Sequence, residues 1–196
     1  MIFCNKKFYF NFKKKNLFSL VYAVEKKAKI SKINKLIDNV LLKKNSFIFE
    51  SVEKAIIRGR YTIFGFNPDL TLNISGNKIS LNKKIIKNKN PYFFLKKFIK
   101  SFNFYLPKHL PPMSAMLAGY FGYDIIRYIE KIPNKNKDDL NIPDIRLTRP
   151  NNIIIHDNFK NEIIYIKINY KKNTDYFDEI SELKKNINEI NNLKYP

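Results

Sequence analysis

Tight turn signals between short β-branched and aromatic runs limit this chain most, because they oblige neighbouring strands to double back. Asp69–Ser75 and Asn77–Asn82 flank Gly76-Asn77, a two-residue hairpin signal. Asn152–His156 and Glu162–Asn169 read as strands joined through Asp157–Asn161, a second hairpin. Ser46–Val52 alternates as a strand does, and Gly59–Phe66 is rich in β-branched and aromatic residues. Asn67-Pro68-Asp69 is a turn signal that should end that run. Leu117–Tyr123 is a strand holding Gly119 and Gly122, a pair that signals close backbone approach or a bulge.

Helical spacing appears between these runs. Ser31 reads as an N-cap before Ile33, Leu36, Ile37, Val40 and Leu41, with a stop near Lys43–Asn45. Pro91 opens a helix reaching about Phe102. Asp124–Glu130 reads as a short helix. From Thr174 onward Phe177, Ile180, Leu183, Ile187, Ile190 and Leu193 form one apolar stripe. Residues 82–90, the stretch around Pro107, Pro111 and Pro112, and residues 131–144 read as loops. The predicted class is α+β: a mainly antiparallel sheet of hairpins with three to four helices, without internal repeats. Residues 1–16 form a basic N-terminal segment and residues 17–196 form one domain, and residues 1–24 read as an ordinary first strand plus a basic loop.

Composition then removes function classes. Hydrophobic residues make up 44% of the 196 and aromatics 15%, enough for a core and too many for wholesale disorder. No apolar run approaches the roughly 18–20 residues of a bilayer span. The single cysteine, Cys4, forms no internal disulfide, and with only His109 and His156 beside it a Cys/His zinc site is disfavoured. Residues 1–24 carry five Lys and no acid, but lack the unbroken apolar core of a signal peptide and the Arg and Ser of a transit peptide, so a cytoplasmic protein is expected. The formal charge is +20, with nine Lys and no acid from Leu70 to Tyr123. Only five of the 37 basic residues are Arg, the side chain whose planar fork suits bases and phosphates. Lys, Ile and Asn, all encoded by A/T-rich codons, account for 87 residues. Nucleic-acid binding is therefore disfavoured.

Candidate chemistry gathers in two places. Glu50-Ser51 ends a strand and precedes Arg58-Gly59-Arg60-Tyr61. A carboxylate can meet an ammonium and a hydroxyl can meet a carboxylate, so the pair suits a small zwitterion, or else it caps a neighbouring turn. Gly119–Pro133 places Tyr123, Asp124, Arg127 and Glu130 together; on a helix Asp124–Arg127 and Arg127–Glu130 are i,i+3 neighbours, an ion-pair ladder or a domain contact. His109 and His156 read as surface histidines. Asp138-Asp139 reads as a solvated loop pair without the further ligands of a calcium loop.

The same two places carry a resemblance. Phe47–Leu70, FIFESVEKAIIRGRYTIFGFNPDL, resembles the first motif of anthranilate synthase component I, where a Leu-Leu-Glu-Ser strand end precedes Gly-Arg-Tyr-Ser-Phe-Ile-Gly. Ala118–Leu147 resembles that family's Gly-Gly-x-x-Gly-Tyr-x-x-Tyr-Asp…Arg-x-x-Glu-x-Leu-Pro…Asp-Asp…Pro-Asp segment. The departures are Phe47 and Phe49 around Ile48, where aliphatics are usual, and Ala118 for one glycine.

The resemblance implies the N-terminal region of a larger two-layer, sandwich-like lyase that converts chorismate and ammonia or glutamine to anthranilate and pyruvate in tryptophan biosynthesis. It implies an L-tryptophan feedback pocket touched by Glu50 and Ser51, with Phe49 in the hydrophobic position before them. Arg60, Gly119, Gly122, Tyr123, Asp124, Arg127 and Glu130 fall to domain-contact or structural motif positions. No cofactor is expected in this chain. Mg²⁺ belongs to the chorismate-binding domain, which this sequence lacks, and a glutamine amidotransferase component II supplies ammonia. The Gly119–Gly122 strand and the terminal stripe are expected to pack against that absent domain. Two rival readings are the same region of aminodeoxychorismate synthase component I, in folate synthesis, and a basic nucleic-acid-binding module.

Overall fold

The computed structural model describes residues 1–50, 59–87, 90–102, 104–133, 140–171 and 174–192. The chain is α+β, with a mostly antiparallel nine-stranded sheet. Its strands are β1 (Ile2–Phe3), β2 (Ser19–Lys26), β3 (Phe47–Phe49), β4 (Tyr61–Ser75), β5 (Lys78–Leu81), β6 (Lys84–Ile86), β7 (Ala118–Phe121), β8 (Ile145–Asp157) and β9 (Glu162–Asn169). They pair in the order β1-β2-β9-β8-β4-β5-β6, with β3 also on β4 and β7 also on β8. The described residues also form helices α1 (Lys6–Lys15), α2 (Ile30–Leu41), α3 (Pro91–Lys100) and α4 (Tyr176–Asn192).

Two compact units divide the chain. The first comprises residues 1–68, 104–116 and 150–196. Strand alternation builds its two cores. Val21, Ala23, Ile154, Ile163 and Tyr165 face one side, where Ile33, Leu36 and Val40 of α2 and Ile180, Leu183, Ile187 and Ile190 of α4 cover them. Leu20, Ile153, Ile155, Ile164, Ile166 and Ile168 face the other, covered by Phe12 of α1 and by Leu110 and Ala115. Period-two strands with apolar residues at every position require such double cover. The second unit comprises residues 69–103 and 117–149. There Leu72, Ile74, Ile79, Ile145 and Leu147 pack with Phe94, Leu95 and Phe98 of α3.

Both predicted hairpins form. Gly76 turns β4 into β5 at φ 52°, and Asp157 pairs Glu162 at the end of β8–β9. Asn90 caps α3 by accepting from the Phe93 amide, with Pro91 at its first position.

Several expectations are corrected. The basic loop near the start is helix α1: Asn5 accepts from the Phe8 amide, Tyr9 and Phe12 are buried, and Lys13, Lys14 and Lys15 complement the helix C-terminus. Ser31 is not the cap of α2, which begins at Ile30 after Lys29. Asn67-Pro68-Asp69 does not end its strand. β4 runs through it, with Asn67 at φ 51°, and Arg149 Nε donates to Asp69 Oδ1 at 2.8 Å. Residues 82–90 are not all loop: Asn82 and Lys83, at φ 48° and 67°, turn β5 into β6. Residues 88–89 lie outside the described set.

Tyr123–Tyr128 is a 3-10 turn rather than an α-helix over Asp124–Glu130. β8 begins at Ile145, seven residues before the predicted start. The stripe of α4 packs on its own sheet and is not left for another domain, whereas Phe177 is 62% exposed; Leu193 lies outside the described residues.

Candidate functional site

β3 is three residues long and owes its place to β4. Phe47, Ile48 and Phe49 pair with Gly65, Phe64 and Ile63. The ring of Phe47 occupies the space above Gly65, where any Cβ would collide with it. Ile48 packs into the core that α2 and α4 cover, on the face shared with Phe64. Alternation puts Phe49 on the opposite face, 42% exposed with its ring 4.9 Å from Phe47. Glu50 is exposed. Among the described residues no hydrogen bond or ion pair involves its carboxylate. Ser51, the other half of the predicted pair, and Arg58 lie outside the described residues.

Arg60 begins the return into the sheet. Its Nε donates to Asp157 Oδ1 at 3.1 Å and its Nη2 to Asp157 Oδ2 at 2.7 Å. Asp157 also accepts from the Phe159 and Lys160 amides. Burial works to raise this carboxyl, but the Arg60 guanidinium and those amides outweigh it and hold the group below its ordinary value. The guanidinium lies 4.8 Å from the Tyr61 ring centre and 5.6 Å from that of Phe159.

The second motif is positioned by close backbone approach. A Cβ on Gly119 would strike the Arg146 carbonyl, and one on Gly122 would lie 3.2 Å from the Asp144 carbonyl oxygen. The predicted Asp124–Arg127 pair forms at 2.8 Å. The Arg127–Glu130 pair does not: Arg127 Nη1 instead donates to the Ile132 and Pro133 carbonyls, at 3.0 and 2.7 Å. Tyr123 is 91% exposed.

Three residues that sequence reasoning missed organise these segments. Asp144 Oδ2 accepts from the Gly76 amide at 2.7 Å and from the Tyr128 hydroxyl at 2.6 Å. Asp157 and Asn158 hold residues 59–60. Asp157 did stand in a turn signal, but its partner is 97 residues away. His109 is exposed, as expected. His156 is not a surface histidine: it is half-buried on β8, its Nε2 has no partner among the described residues, and burial lowers its pKa. Asp138-Asp139 lies outside the described residues. Among the described residues no three His, Cys, Asp or Glu side chains converge as metal ligands. No helix among them is long and apolar enough to cross a membrane.

No protein-family model matches the chain. Anthranilate synthase component 1 of Cereibacter sphaeroides is 34% identical over 130 residues, which cover 62% of this chain and 26% of the relative. The chain is similar to anthranilate synthase component I. The Thermus thermophilus component 1 is 30% identical over 118 residues, 59% of this chain and 25% of that one. A chloroplastic anthranilate synthase alpha subunit of Oryza sativa is 26% identical over 170 residues, 77% of this chain and 30% of the relative. The chain thus spans roughly a quarter to a third of these relatives' length. The crystal structure of anthranilate synthase component I from Streptococcus pneumoniae shares the fold, with a TM-score of 0.57 at 22% identity over 78% of this chain and 33% of that one.

Proposed function

We propose that this chain is the N-terminal regulatory and scaffolding part of an anthranilate synthase component I, incomplete as a catalyst alone. The observation that carries this is the 34% identity to a component 1 of which the chain spans 26%. Chorismate and Mg²⁺ are handled by a chorismate-binding portion, ammonia comes from a glutamine amidotransferase component, and the assembly is cytoplasmic. Within the chain, Glu50 and Ser51 contribute to a tryptophan pocket. The exposed Glu50 carboxylate just past a strand end is free to meet the effector's ammonium, and a serine hydroxyl next in sequence has the chemistry to meet its carboxylate.

Two measurements test this. The chain alone, given chorismate, Mg²⁺ and ammonia, forms no anthranilate; fluorescent product above the blank overturns the proposed division of labour. Joined to a chorismate-binding portion, Ser51→Ala weakens tryptophan inhibition about two- to tenfold, through the loss of one buried hydrogen bond. Ser51→Phe fills the site and abolishes inhibition, and inhibition that survives it rejects the pocket.

A further inference from the structure

Helix α3 presents two unlike faces. Phe94, Leu95 and Phe98 turn inward, against the core of Leu72, Ile74 and Ile79. Tyr92, Phe93, Lys96, Lys97, Ile99 and Lys100 are exposed on the other side. Phe93 is 67% exposed, Ile99 45% and Tyr92 40%. The Tyr92 and Phe93 rings meet edge to face, 5.5 Å apart. At about 3.6 residues per turn, Lys96 and Lys100 fall between the edge that carries Tyr92 and Ile99 and the edge that carries Phe93 and Lys97. Rings and cations are therefore interleaved over one outward surface.

No acid balances these cations. Leu70–Tyr123 holds nine Lys and no Asp or Glu. Among the described residues, the lysines in ion pairs are Lys32, Lys43 and Lys167, none of them on α3. The interleaving decides what can cover the face. A dry protein contact would bury Lys96 and Lys100 in its middle, which costs free energy unless each meets a carboxylate there. A lipid headgroup layer needs no such residue-by-residue match. Its phosphates accept from the ammonium groups, the lysine stems lie along apolar surface, and aromatic rings settle at that depth. Lysine also serves a diffuse anionic layer without the planar fork of arginine.

We infer that the outer face of α3 docks on a membrane surface that contains anionic phospholipid. Tyr92 and Phe93 enter the headgroup region, and Lys96, Lys97 and Lys100 hold the surface charge. The contact is reversible, since ten residues of helix supply few anchors. It does not depend on the tryptophan pocket.

The chain contains no Trp, so Phe93→Trp supplies a single indole reporter. Its emission moves to shorter wavelength on vesicles of phosphatidylcholine mixed with phosphatidylserine, and stays unmoved on phosphatidylcholine alone. Co-sedimentation of the unaltered chain with the mixed vesicles gives the affinity. Lys96→Gln combined with Lys97→Gln weakens it about twenty-fivefold, about fivefold for each lysine near an anionic surface. Phe93→Ala weakens it about three- to tenfold. These side chains are exposed, so the variants keep the fold. Lys7→Gln combined with Lys14→Gln, at exposed positions of α1, removes the same charge and leaves the affinity within about threefold. Equal losses in the α1 and α3 pairs assign binding to general charge and overturn the docking face. An unmoved emission on the mixed vesicles overturns it too, as does equal binding to phosphatidylcholine alone. Single-stranded oligouridylate is measured at the same salt. Tighter binding to it than to the mixed vesicles, lost in the α3 variants, assigns the face to nucleic acid and overturns the lipid contact.

Discussion

Single side chains join elements far apart in sequence, and their titration is separable. His156 is half-buried and its folded pKa lies below the ordinary 6.5, because burial disfavours the imidazolium. The unfolded chain therefore takes up a proton at a higher pH than the folded chain. His156 leaves stability intact above about pH 6.5 and withdraws it as pH falls through the folded value, by at most about 1.4 kcal/mol per pH unit. The Asp157 carboxyl also sits below its ordinary 3.8, so its contribution persists through that range and is lost only in stronger acid. Thermal unfolding measured from pH 7 to pH 5 should show a decline that His156→Gln flattens and Asp157→Asn does not. A decline untouched by His156→Gln would assign it to other groups. Asp144 bears on the fold instead: Asp144→Ala removes the acceptor shared by Gly76 and Tyr128 and should cost about 1–3 kcal/mol in chemical denaturation.

At the scale of elements, what was legible in the sequence was whatever short-range chemistry decides. The Gly76 hairpin, Pro91 at the start of α3 and the stripe of Ile180, Leu183, Ile187 and Ile190 are set by neighbours a few residues away. Asn67-Pro68-Asp69 misled because a turn signal is only local. β4 passes through it while Asp69 is held by Arg149, 80 residues on. α1 was hidden by its lysines, which break the apolar run without disturbing the Phe8, Tyr9 and Phe12 face that packs. For the candidate site, Glu50 at a strand end was readable, whereas the Asp157 clamp was not, since nothing in the local pattern reveals a partner 97 residues distant. Gly119 in β7 and Gly122 just after it were readable as close approach, and Gly119 can be weighed against Gly76. Gly119→Ala drives a Cβ into the Arg146 carbonyl, and backbone cannot yield as a side-chain tip can, so about 2–3 kcal/mol or more is lost. Gly76→Ala meets nothing within 4 Å and costs only the left-handed conformation, about 1–2 kcal/mol. Denaturant midpoints for the two variants should fall in that order, and the reverse order would mean that β7 shifts freely against β8.

For the whole molecule, charge is the dominant unspent term. A formal +20 on 196 residues makes the folded chain repel itself, since unfolding lets the lysines move apart. Local attractions oppose this. Lys32 binds Glu25 at 2.6 Å, and the buried Lys167 bridges Glu179 and Glu182 at 2.7 and 2.6 Å. Other lysines rest on rings instead of carboxylates, with Lys15 Nζ 4.1 Å from the Tyr105 ring centre and Lys6 Nζ 5.0 Å from that of Phe177. Added salt acts unequally on these terms. The Debye length falls from about 30 Å at 0.01 M to about 8 Å at 0.15 M, so long-range repulsion between exposed lysines is screened first. Short, partly buried pairs such as Lys167–Glu179 lose far less. The melting temperature should therefore rise with sodium chloride across that range, by about 2–4 °C for each kcal/mol of repulsion relieved. A melting temperature that falls with salt would show that the ion pairs outweigh the excess charge. One that rises with phosphate and not with chloride would point to a bound anion on the lysine-rich surface instead of general screening.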